Sequence, residues 1–149
     1  MSNKNKFLVI SILSFLAFIN ASYLSYKAYF FRFIDPSGLS SFCDISKTFS
    51  CSEVLRHPLS QFFGISFPWI ALIVYPILFI ISYLGYKSGK RFLNYAKALV
   101  ALSFLGMLFN GFIIYREVVY IHTYCLLCLL CTVIIISIFS LSVSIISKR

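Results

Sequence analysis

Four runs of about twenty residues, nearly free of charge, dominate the sequence and decide what solvent it can fold in. Phe7–Phe30 is apolar apart from small polar residues and Lys27. Phe67–Tyr86 carries no charge, Tyr95–Tyr115 carries only Lys97 close to its start, and Cys125–Ile146 carries none. At 1.5 Å rise per residue, each run is long enough as a helix to cross a hydrocarbon core roughly 30 Å thick. Composition agrees. The 149 residues are 60% hydrophobic and 11% charged, with a mean hydropathy of +0.94. A soluble domain of that size has too little polar surface to cover such an interior. The expected fold is therefore an all-α integral membrane protein, a single domain over residues 1–149 built as a four-transmembrane-helix bundle.

The first run has a rival reading as a secretory leader, because "MSNKNK" is basic and "INAS" resembles a cleavage site. Its length exceeds a usual leader core and favours a span. Pro68 suits a first helical turn, and Pro76 in mid-span predicts a kink.

The net charge of +9 points to a membrane rather than to nucleic acid once its distribution is considered. Lys4 and Lys6 precede the first run; Lys87, Lys90, Arg91 and Lys97 surround the short link between the second and third; Lys148 and Arg149 follow the fourth. With four spans these eight of the 13 basic residues share one side. The other side holds Lys27, Arg32, Lys47, Arg56 and Arg116 with all four acids, Asp35, Asp44, Glu53 and Glu117. The positive-inside rule makes both termini cytoplasmic and turns the long Phe31–Ser66 link outward. "KSGKR" is then a cytoplasmic turn in reach of anionic lipid headgroups. Connections longer than about 15 residues are usually functional or disordered. This one mixes Phe, Ile, Val and Leu with turn residues, as an ordered cap does, and "DISKTF" and "SCSEVL" read as short helix starts.

Four of the five cysteines fall on the outward side, where disulfides persist. Cys43 and Cys51 bracket a small loop; Cys125 and Cys128 stand one turn apart at the head of the last run. Helical i, i+3 spacing brings Cβ atoms to about 5–6 Å, and a helix N-terminus favours a thiolate, so this pair is suited to open and close. Blander readings stand beside this one. The loop pair serves as a permanent staple, the helix pair as core thiols, or all four as zinc ligands, although the gap between Cys43 and Cys51 is wide for zinc. Cys131 lies roughly 9 Å deeper than Cys125 and reads as a packing residue. Taken together, an outer pair that exchanges with a membrane pair moves electrons into the membrane. No haem or iron–sulfur ligation pattern is present, and a lipid-soluble two-electron acceptor, a quinone, fits. No metal site is expected.

These residues resemble the vitamin K epoxide reductase family over nearly the whole chain. The likeness rests on four spans, the long outward link after the first, "CDISKTFSC", the following "SEVL", Phe63–Gly64, and "YCLLC" opening the last span. It implies a four-helix bundle around a quinone of the ubiquinone, menaquinone or vitamin K type, capped by the outward loop. The implied activity is thiol-driven quinone reduction. Cys43 takes electrons from a thioredoxin-like partner, Cys51 relays them to Cys125, and Cys128 faces the quinone. Asp44 matches an acid often found beside the first cysteine. His57 stands where the family usually has Ser or Thr near the quinone, and Leu55 and His57 are the candidate quinone contacts. His122 reads as an interfacial residue. Many bacterial members carry a fused thioredoxin-like domain; here the thiol partner is expected to be a separate protein. A bacterial or archaeal plasma membrane is the expected location, with disulfide supply to secreted proteins as the use. The alternatives are an animal-type reductase of vitamin K epoxide in the endoplasmic reticulum, or a non-catalytic scaffold or small transporter with a stapled loop. Against transport, no charged residue lies in mid-span.

Overall fold

The computed structural model describes residues 2–29, 61–62, 65–122 and 126–147. Four helices carry the fold: α1 (Asn3–Tyr29), α2 (Phe67–Lys87), α3 (Phe92–Arg116) and α4 (Leu126–Ser147). All four are long and apolar enough to cross a membrane. Helices suit that solvent because every interior backbone bond closes within the segment. The sequence-derived bounds agree closely at α2 and α4. α1 starts earlier, at Asn3 rather than Phe7, and α3 runs on past Arg116 through a π-helical turn, Glu117–Ile121. His122 ends that turn in the left-handed region, with φ of 59°. Ahead of α2, two strands not expected from the sequence, β1 (Gln61–Phe62) and β2 (Ile65–Ser66), pair antiparallel. The helix starts expected in "DISKTF" and "SCSEVL" lie outside the described residues. Pro68 sits in the first turn of α2 as expected, and α2 continues across Pro76.

The helices form a ring in which α1 packs on α2 and α4, and α3 packs on α2 and α4. Successive helices run antiparallel, since early residues of one meet late residues of the next. Phe7 meets Gly85, Lys6 reaches Ser144, and Phe104 lies against Phe139. Lipid offers no hydrophobic drive between helices, so small residues and polar contacts hold the seams. α1 presents Ser14, Ala17, Ala21, Ser25 and Ala28 inward. Ser11 and Ser82 share a hydrogen bond of 2.8 Å between α1 and α2, and most other buried serines donate back to their own helix, as Ser14 does to Ile10 O at 2.8 Å. The outside is as apolar as the inside: Ile12, Phe15, Ile73, Ile80, Leu105 and Val133 are exposed, as a lipid-facing surface requires.

Candidate functional site

The head of α4 is where the chain concentrates its chemistry. Leu126 opens the helix, so Cys128 lies in the first turn and Cys131 one turn deeper, and both are buried. Three side chains attend carbonyls here. Asn20 of α1 donates to Leu127 O at 2.9 Å, Thr132 donates to Cys128 O at 3.1 Å, and Tyr75 of α2 donates to Cys131 O at 3.4 Å. The Asn20 amide nitrogen also reaches Cys131 Sγ at 2.9 Å. Helix interiors do not need such donors, because their carbonyls already accept from the residue four places on. Thr132 bonds back to its own helix as the buried serines do, whereas Asn20 and Tyr75 reach these carbonyls from neighbouring helices.

A cavity of about 270 Å³ opens beside this turn, with walls from all four helices. It lies near the lower end of small-molecule pockets, about 300–1,000 Å³. Leu24, Ile70, Val74, Leu102, Phe109 and Ile135 make most of it apolar; Tyr75, Asn110 and Cys131 bring the polar atoms. Asn110 donates one N–H to Gly106 O at 2.9 Å; its amide has another N–H and a carbonyl oxygen to offer. The wall therefore suits a flat apolar ligand with carbonyl oxygens. No group of three or more His, Cys, Asp or Glu positioned for a metal occurs among the described residues.

Of the catalytic and quinone-contact residues expected from the sequence, only Cys128 is among those described. Cys43, Asp44, Cys51, Leu55, His57 and Cys125 lie outside them. Cys131, expected to fill space, is buried in the hydrophobic core as a packing residue is, and it also lines the cavity. Asn20, Tyr75 and Asn110 were not anticipated. Each is a hydrogen-bonding side chain inside an apolar run, a pattern that flags function in a membrane segment, but which face it occupies depends on helix rotation.

No curated protein matches the chain. The sequence model of the vitamin K epoxide reductase family matches residues 8–143, a stretch that takes in almost all of the four helices. With membrane-length helices and buried thiols beside an apolar cavity, the match identifies an integral membrane oxidoreductase: the chain belongs to the vitamin K epoxide reductase family, whose chemistry joins thiols to quinones.

Proposed function

We propose that the chain is a thiol:quinone oxidoreductase that oxidises a separate thioredoxin-like protein and so supports disulfide formation outside the cytoplasm. Both termini are cytoplasmic in this reading, and the membrane is a bacterial or archaeal plasma membrane. The observation that supports it best is the apolar cavity lying against the cysteine-bearing turn of α4, with Cys131 in its wall. Cys43 accepts electrons from the partner and Cys51 hands them to Cys125 by thiolate attack on the Cys125–Cys128 disulfide, one S–S bond forming as another breaks. A quinone bound in the cavity is the two-electron acceptor. Tyr75 and Asn110 are placed to orient it, and the apolar helices around it keep water from the thiols. His57 and Leu55 complete the headgroup site from the outward link.

The test uses the purified chain in lipid nanodiscs, a reduced thioredoxin-like protein and decylubiquinone. Quinol formation is followed by absorbance. Cys125→Ser is expected to abolish it. Cys128→Ser is expected to accumulate a Cys51–Cys125 bond, because the resolving thiol is gone. Full quinol production by Cys125→Ser would overturn the relay.

A further inference from the structure

Between α1 and α2 the lipid-facing surface carries an apolar groove of about 420 Å³ that shares no lining residue with the interior cavity. Leu8, Ile12 and Leu16 of α1 form one wall, and Phe79, Tyr83 and Tyr86 of α2 form the other. The geometry points to a binding site for an anionic phospholipid, with an acyl chain lying in the groove and the phosphate held between Lys4 and Lys87. This site needs only the four spans and is independent of the electron path.

The first observation is depth. Leu8 to Leu16 is two helical turns and more, about 12 Å at 1.5 Å per residue. Half of a hydrocarbon core roughly 30 Å thick is about 15 Å. The groove thus matches the tail of a lipid in a single leaflet.

The second is charge at one end only. Lys4 precedes Leu8 by four residues and Lys87 follows Tyr83 by four, so each wall is continued on the same helix face by a cation. Both lysines are exposed. Phe7 against Gly85 and Ser11 against Ser82 fix the antiparallel register of the seam, and that register puts Lys4 and Lys87 at one level on either side of the groove. Lys6 turns away, to Ser144 across the other seam.

The third is where the Lys87 ammonium lies. Its Nζ stands 5.0 Å from the centre of the Tyr83 ring, within cation–π reach, so the charge leans over the groove wall. The fourth is the lack of a protein counter-charge in these segments. No Asp or Glu occurs in α1, in α2 or in the turn that follows it. Two ammonium groups in that setting favour an anionic headgroup over a zwitterionic one, and Tyr86 adds a phenol of the kind that settles at the membrane interface.

Native mass spectrometry of the full chain tests the site. The protein is released from detergent micelles doped with graded amounts of phosphatidylglycerol, or of phosphatidylcholine with the same chains. Wild type is expected to retain one phosphatidylglycerol, half-saturated at about one tenth of the phosphatidylcholine concentration or less. Lys4→Gln with Lys87→Gln is expected to abolish that preference. Arg91→Gln with Lys97→Gln removes the same charge at the head of α3 and is expected to keep it. Ile12→Trp, which fills the groove, is expected to weaken retention about tenfold with both lysines in place. Equal half-saturation by the two lipids overturns the proposal, as does unchanged retention in Ile12→Trp. Equal loss of preference in the two charge variants also overturns it, because binding then follows net charge alone. If a variant fails to fold, wild type decides by crosslinking. Phosphatidylglycerol with a photoreactive acyl chain is expected to label residues 8–16 and 79–86 above the rest of the lipid-facing surface, and even labelling of all four helices overturns the site.

Discussion

Asn20 shows how much one side chain can organise inside a membrane. Its amide nitrogen meets a backbone carbonyl and a thiol on a neighbouring helix, both at 2.9 Å. Interhelical hydrogen bonds of this kind contribute about 0.6–2 kcal/mol each, so their weight here lies less in stability than in fixing where α4 points its sulfur. In the proposed reading, His57 takes the place of the hydroxyl usual in the family. Negative charge develops on a quinone oxygen during reduction, and losing a donor aimed at such an oxygen costs on the order of 10²-fold in rate. His57→Ala is therefore expected to slow quinol formation by about that factor while leaving thiol exchange between the partner and Cys43 intact, and His57→Ser to recover part of the rate. A wild-type rate of quinol formation in His57→Ala would remove it from the site. At this scale the sequence was only half legible. Cys128 stood out because a spaced pair of thiols is rare and chemically specific. Cys131 read as filling, which its burial in the core bears out, but its place in the cavity wall was not legible.

The elements were the most legible part, since a run of twenty uncharged residues has few other fates in a chain this apolar. The misses fall where charge or shortness blurred the signal. Arg116 and Glu117 looked like the end of the third span, yet the helical path continues through the π turn to Ile121. Strands of two residues each leave no periodicity to read. Seams between elements were also invisible, because they depend on single small residues. At Gly85 on α2, an added Cβ would run into the ring of Phe7 on α1, and Phe7 is buried. Gly85→Ala is therefore expected to destabilise the bundle by about 1–3 kcal/mol through overpacking, read as a lower midpoint in detergent unfolding. Gly89→Ala is the control, because a Cβ there meets nothing within 4 Å. Equal midpoints for the two variants would show that the α1–α2 seam relaxes around the extra methyl.

For the molecule as a whole, the charge pattern and the antiparallel ring make one topological statement. Four spans with Lys87, Lys90 and Arg91 at one end put Cys43 and Cys51 at the other in the proposed topology. A membrane-impermeant maleimide is expected to label the reduced loop cysteines in intact spheroplasts. Labelling that requires opening the cytoplasmic side would invert the orientation and, with it, the source of electrons. The ring also explains why the residues that wall the cavity could not be read from local sequence. It is enclosed by parts of four helices far apart in sequence, Leu24, Tyr75, Phe109 and Cys131 among them, and no local pattern encodes their meeting.

The contact that closes the ring has a consequence of its own. Lys6 near the start of α1 is buried and donates to the hydroxyl and the carbonyl of Ser144 near the end of α4. The first and last helices thus finish side by side at one end of the bundle, while the Ser88–Arg91 turn that joins α2 to α3 lies at the same end. The order of the chain is in that sense arbitrary. A short linker from Ser147 back to Asn3, with a new opening at Gly89, gives a circularly permuted protein that keeps every helix against its present neighbours, leaves an even number of spans, and carries α4 and α1 as one continuous hairpin with Asn20 and Cys131 on its facing arms.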